Sequence, residues 1–212
     1  MPALIHLMPG NHDRFTRWYQ GYGPGGTLFD SVFQKYWDVG QGVSSFVLGE
    51  SLGIVMADLT LTSMLHSTAF AGGFWGQGKA YVERIAFMKV QTALLRARQP
   101  NIAILWAVHF APAFERLAEN LRLIDDNRLI EAAEDSGIGH ILCGHTHEQR
   151  RYSVGKNQPV TIFCGGAASQ RGPYPNTLGL FEIEVEEASF AHFAFHLLEH
   201  RDGEGFRAIR RS

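Results

Sequence analysis

The sequence predicts an α/β domain, with helices laid on a mostly parallel sheet and a chain that finishes in antiparallel strands. Three observations lead there. Short apolar runs of strand length recur at 4–8, 43–48, 52–57, 102–108, 138–143 and 160–164. Two stretches among them place apolar residues at helical spacing. Beyond residue 176 the pattern changes to alternation, as in half-buried strands with one wet face. The 212 residues suit a single domain spanning 1–212, and 45% hydrophobic with 19% charged residues is a globular balance.

Taken in order, Leu4-Ile5-His6-Leu7-Met8 reads as a buried strand, broken by Pro9-Gly10. Residues 14–42 are rich in Gly and aromatics and read as a long loop, with a helical piece around Leu28 to Tyr36. Val43 to Leu48 and Leu52 to Ala57, joined by Gly49-Glu50-Ser51, form an antiparallel hairpin. Thr60 to Gly78 is irregular. Val82, Ile85, Ala86, Val90, Ala93, Leu94 and Ala97 then make the apolar face of a surface helix ending before Pro100. Glu83, Arg84, Lys89, Gln91, Arg96 and Arg98 fall on the opposite face. Ile102 to Val108, apolar throughout, is a strand covered on both faces. A second helix starts with Asp126 as N-cap and stops at Gly137. Ile138 to Cys143 and Val160 to Cys164 are strands. Phe181, Ile183 and Val185 alternate with Glu182, Glu184 and Glu186, and Phe190 to Leu198 alternates too.

Charge narrows the function. Nineteen Lys and Arg against twenty-one Asp and Glu leave a net charge of −2, without the basic excess of a nucleic-acid or anionic-membrane binder. No apolar run approaches the roughly 20 residues of a membrane span. Met1 to Gly10 has neither the basic region nor the long apolar stretch of a signal peptide. Two cysteines, Cys143 and Cys164, cannot make a disulfide framework. A cytoplasmic location is expected.

Polar residues at the carboxyl ends of strands are where open α/β sheets place their sites. Three such ends present Asn11-His12-Asp13, His109, and His145-x-His147. Imidazole nitrogens and an amide oxygen suit Zn, Mn or Fe. In an extended segment His145 and His147 would point the same way, about 6–7 Å apart, which suits two imidazoles serving separate metals of a pair. Each piece alone is ambiguous. Gly-Asn-His-Asp by itself is more often a turn, a lone His109 more often a satisfied histidine at a strand end, and Gly-His-x-His either a ligand pair or a loop. Their order, each after an apolar run, points to a metal site.

In these motifs the chain resembles the calcineurin-like metallophosphoesterase superfamily. The resemblance rests on Gly10-Asn11-His12-Asp13, on His109 in Val108-His109-Phe110-Ala111-Pro112, and on Gly144-His145-Thr146-His147. It implies a four-layer α/β/β/α sandwich with two divalent metal ions (Mn, Fe or Zn) and hydrolysis of a phosphomonoester or phosphodiester by metal-activated hydroxide. Asn11, His109 and His145 would hold one metal and His147 the other. His12 would contact the phosphate and protonate the leaving oxygen, with Asp13 orienting it. The family's Asp-x-His and Gly-Asp motifs, which belong upstream of Gly-Asn-His-Asp, occur nowhere in the chain, and nine residues precede Gly10. The expectation is an N-terminally incomplete domain that lacks its first strands. Alone it would hold one metal, act as a poor enzyme, and self-associate through uncovered sheet edges. The alternatives are a non-catalytic metal- or partner-binding module and a nuclease of the same superfamily. A small phosphoester is the expected substrate.

Other residues weigh less. Arg14 reads equally as a substrate-phosphate contact and as an exposed loop arginine. Asp58 reads as a strand-end turn residue. His66, with Phe70, Phe74 and Trp75, would line a cap or pack its loop. Trp18, Tyr19, Tyr22 and Trp37 would stack a base or sugar, or anchor the loop. His6, His140, His192, His196 and His200 read as structural or surface residues. Gly165-Gly166 lacks the Lys-Ser/Thr of a phosphate-binding loop.

Overall fold

The fold was analysed in a computed structural model, which describes residues 6–14, 31–33, 42–60, 77–115, 121–166 and 176–208. Six strands form the main sheet: β1 (Val43–Leu48), β2 (Leu52–Ala57), β4 (Ala103–Val108), β6 (His140–Cys143), β7 (Arg150–Val154) and β8 (Val160–Cys164). Their order is β1-β2-β4-β6-β8-β7. The inner strands β2, β4, β6 and β8 run parallel, while β1 and β7 pair antiparallel at the edges. A two-stranded parallel ribbon joins β3 (Gly78–Lys79) to β5 (Leu123–Ile124). The second sheet is antiparallel, ordered β11-β10-β9, from β9 (Thr177–Glu186), β10 (Ser189–Arg201) and β11 (Gly205–Ala208).

Helices α1 (Asn11–Arg14), α2 (Val82–Arg98) and α3 (Asp126–Asp135) accompany these strands. Alternation along the main sheet sends Val55, Ala57, Trp106, Val108, Ile141 and Ile162 toward the helix side, where they join Ile85, Met88, Leu95, Leu129 and Ala133 in one core. The other face meets two covers. Leu7, Met8 and Phe33 pack with Met56, Phe46 and Ile54 at one end. At the other end Phe163 of β8 lies 5.7 Å from Phe181, 4.8 Å from Phe193 and 5.9 Å from Phe195, ring to ring, which docks the second sheet. Helix layer, mixed sheet and antiparallel sheet are thus stacked in that order.

Several expectations need correction. His6 to Met8 is not a strand. The run is apolar because Leu7 and Met8 pack on the sheet face, and His6 stacks flat on Phe46 at 3.4 Å between ring centroids. The apolar face assigned to α2 is also wrong. Its buried stripe is Ile85, Met88, Thr92 and Leu95, while Val82, Val90 and Leu94 are exposed. Polar residues on the inner side have specific partners there. Trp106 Nε1 donates to Thr92 Oγ1 at 2.9 Å, Ser45 Oγ donates to Gln91 Oε1 at 2.8 Å, and Arg96 donates to the Ser136 carbonyl at 2.6 Å. Asp126 is the first helical residue of α3 rather than its cap, and its Oδ2 accepts from the Ala113 amide at 2.7 Å. Gly137 does end that helix. With φ 61° it lets Gly137 N and Ile138 N bond back to the Glu134 and Ala133 carbonyls, at 3.0 and 2.8 Å.

His140 fills the seam between the sheets. Its ring stacks on Phe193 at 4.5 Å and on Phe163 at 5.8 Å, with Phe190 edge-on at 4.7 Å. Among the described residues its buried Nδ1 has no hydrogen-bond partner. Burial, aided by the nearby Arg151 charge, pushes its pKa below the usual histidine value. The fold therefore favours neutral imidazole, whereas the unfolded chain protonates near 6.5. Stability from this site is present above that pH and falls as pH drops toward the lowered folded value. Chemical denaturation between pH 8 and 5 is expected to show a loss, of at most one proton's slope, that His140→Phe removes. An identical pH dependence in that variant would contradict this.

Candidate metal centre

Parallel alignment brings the carboxyl ends of the inner strands side by side. Ala57 pairs with Val108 and Cys143 with Cys164, so Asp58, His109 and Gly144 leave the sheet at one edge. Asn11 reaches the same place from a turn instead of a strand. Gly10 N donates to Asp13 Oδ2 at 2.8 Å, and Asp13 N donates to the Gly10 carbonyl at 3.2 Å. This reciprocal cap opens α1 and fixes the backbone beside Asn11, which is 4% exposed.

Three side-chain atoms converge there. Asn11 Oδ1 lies 2.9 Å from His109 Nε2 and 3.3 Å from His145 Nδ1, and the two imidazole nitrogens are 3.3 Å apart. Ligands about 2.1 Å from a cation lie about 3.0 Å apart in an octahedron and about 3.4 Å apart in a tetrahedron, so this triangle has the size of a coordination face. Its chemistry fits as well. His145 Nε2 donates to the Leu121 carbonyl at 2.9 Å. A carbonyl only accepts, which leaves the neutral ring's lone pair on Nδ1, facing the Asn11 oxygen. Two lone-pair atoms thus meet at 3.3 Å, and His109 Nε2 supplies a third when its proton sits on Nδ1. A cation satisfies all three. Among the described residues no group of three His, Cys, Asp or Glu side chains has metal-binding spacing, because the third member of this site is an amide.

Packing holds the rings in place. His109 meets Phe110 edge-on at 5.0 Å, and Phe110 tilts against His145 at 4.7 Å. Gly144 N donates to the His109 carbonyl at 3.0 Å, tying the two motif segments together. His145 and His147 both adopt left-handed backbone, with φ 67° and 54°. Two non-glycine residues in this region within three positions store strain at the site. The extended geometry expected for His145-x-His147 is thereby overturned. His145 turns inward to the triangle, and His147 is exposed. The side chains of His12 and Arg14 lie outside what the structure describes, and His66, Trp18, Tyr19, Tyr22 and Trp37 lie outside the described residues. Asp58, fully buried, closes a turn by accepting from both the Thr60 amide and hydroxyl, and Arg84 stands 3.8 Å from it.

Sequence reasoning did not find the Leu121 carbonyl, since a backbone oxygen has no residue signature. It also missed a cavity of about 280 Å³ lined in part by Ala111, Phe114, Arg122 and Leu123. Directly beneath the site, Cys143 Sγ and Cys164 Sγ are 3.1 Å apart. Burial pushes the Cys143 thiol up, while the hydrogen bond from Cys143 draws the Cys164 thiol down.

The fold is an α/β one with a mostly parallel central sheet, at whose carboxyl edge the side chains of Asn11, His109 and His145 converge. No family model matches the chain, and no curated protein matches it in sequence. Among solved structures it is similar to GAP50, described as the anchor in the inner membrane complex of Plasmodium, with 12% identity and a TM-score of 0.33. That match covers 78% of this chain and 47% of the other, so the chain spans about half the length of that neighbour. It is also similar to a double mutant of Vps29 from Entamoeba histolytica, with 15% identity and a TM-score of 0.28, covering 63% of this chain and 78% of that one. No helix of the described residues is long and apolar enough to cross a membrane.

Proposed function

We propose that this chain is a metal-dependent phosphoesterase of the calcineurin-like kind, hydrolysing a phosphomonoester or phosphodiester. The observation that supports this most directly is the convergence of Asn11 Oδ1, His109 Nε2 and His145 Nδ1 within 2.9–3.3 Å. These three residues lie far apart in sequence, inside the three motifs that carry the resemblance. On this reading the helix layer and two sheets are three layers of the family's four-layer sandwich.

A divalent cation (Mn, Fe or Zn), when bound, would supply Lewis-acid polarisation of a phosphoryl oxygen and a more acidic water. The chain's own residues do the rest. Leu121 keeps His145 in the tautomer that presents Nδ1, and Asp13 fixes the turn that presents Asn11. His12, next in sequence to a ligand, is assigned to protonate the leaving oxygen, and Arg14 to pair with the phosphate. Water adds to phosphorus, the ester P–O bond breaks, and the leaving alcohol takes one proton. His147 is assigned to a second cation. A small phosphoester fits the net charge of −2 better than a long nucleic acid does.

A second reading is a metal- or partner-binding module without turnover. It is favoured by the outward position of His147 and by the lack of any Asp-x-His or Gly-Asp in the sequence. Hydrolysis of a p-nitrophenyl phosphodiester with added Mn²⁺ separates the two. Slow turnover that vanishes in His145→Ala is the result expected of the enzyme. Mn²⁺ binding without any turnover establishes the module instead.

A further inference from the structure

The phosphoesterase reading leaves one pair of reactive groups unused. Cys143 and Cys164 are the chain's two cysteines and both are free. They sit directly opposite each other on the neighbouring parallel strands β6 and β8, with Sγ atoms 3.1 Å apart. Adjacent strands lie about 4.8 Å apart, inside the range of Cα separations that a disulfide spans. The bond needs about 2.05 Å between sulfurs, so closure asks for about 1 Å of movement. Both side chains are packed in the main core, where little rotation is free, and the backbone must take up part of that movement. The backbone concerned leads straight into the site. Gly144 follows Cys143 and donates to the His109 carbonyl at 3.0 Å, Thr146 N donates to the Gly144 carbonyl at 2.7 Å, and Gly165 N donates to the Cys143 carbonyl at 2.8 Å.

We propose that Cys143 and Cys164 form a reversible disulfide site, oxidised by hydrogen peroxide, whose closure loosens the Gly144–His147 turn that presents His145. Peroxide reaches the pair when the ends of the two strands open locally. The Cys164 sulfur attacks one peroxide oxygen, the O–O bond breaks, and hydroxide leaves, taking a proton to become water. Cys143 sulfur then attacks the resulting sulfenic sulfur and expels the second oxygen as water. Two thiols and one peroxide give one disulfide and two waters, and a dithiol reductant reverses the change. Only the effect on cation affinity rests on the metal centre proposed above.

The test uses the whole chain, stripped of metal, reduced, and treated with a few equivalents of hydrogen peroxide. Alkylatable thiols are expected to fall from two to none, with a protein lighter by about 2 Da and full recovery in dithiothreitol. The Gly144 and Thr146 amides are expected to exchange with solvent at least about tenfold faster in the oxidised form. Thiols that stay alkylatable, or mass gained as oxygen without a cross-link, overturn the proposal. So does a cross-link that leaves the exchange of these amides unchanged. Cys143→Ala serves as the control that cannot cross-link, and the wild-type readings decide the matter even if that variant folds poorly. Oxidation is also expected to weaken Mn²⁺ binding by about tenfold or more, as loss of support around a ligand does. A reduced protein that binds no Mn²⁺ overturns the metal-centre reading alone, because the cross-link and exchange readings need no metal.

Discussion

Asn11→Ala is expected to lower Mn²⁺ affinity by about a hundredfold or more, equivalent to at least about 2.7 kcal/mol. Loss of a residue that merely supports a ligand costs about 10- to 100-fold, so loss of one donor in three lies at or beyond the top of that range. Asn11→Asp keeps the oxygen and adds a charge, so it is expected to retain binding. Competition against a chromophoric chelator reads both variants. In the absence of metal, Asn11→Ala is expected to shift unfolding by only about 1 kcal/mol, the worth of an ordinary hydrogen bond. Wild-type affinity in Asn11→Ala, with the fold intact, would remove the triangle as a cation site.

How much of this was legible beforehand follows from what each element rests on. Strand β4 is apolar on both faces because both faces are covered, and its continuous apolar run declares that directly. The hairpin of β1 and β2 was equally plain from its Gly49-Glu50-Ser51 break. Helix α2 shows where pattern reading fails. Gln91 and Arg96 looked like solvent-facing residues, but each has a partner, on β1 or at the end of α3, and the buried stripe includes Thr92, which accepts from Trp106 of β4; those partners are set by tertiary contact alone. Within the site, the meeting of Asn11, His109 and His145 was foreseeable because each follows an apolar run in a separate motif, and such strand ends gather at one edge of an open α/β sheet. The turn at His145-x-His147 was not, since two left-handed non-glycine residues run against local preference and are held by their surroundings. Extended geometry was the natural expectation, and the left-handed backbone at both histidines departs from it.

Gly10→Ala probes whether the turn at Asn11 and the His109 ring are fitted to each other. A methyl on Gly10 would lie 2.7 Å from His109 Cε1, 2.9 Å from Nδ1 and 3.0 Å from Nε2. Gly10 does not occupy left-handed backbone, so the substitution introduces crowding without conformational strain. The ring has little freedom to yield, with Phe110 edge-on beside it and its carbonyl held by Gly144. Overpacking of this kind destabilises by about 1–3 kcal/mol. Any rotation that relieves it carries Nε2 away from the Asn11 oxygen, so Mn²⁺ affinity is expected to fall about tenfold or more as well. A double-mutant cycle isolates the cause. With His109→Ala the obstacle is gone, and adding Gly10→Ala to that variant is expected to have almost no further effect on thermal unfolding. If the methyl destabilises the protein equally in both backgrounds, Gly10 serves some other need, and the close seating of His109 on this turn is not what selects a residue without a side chain.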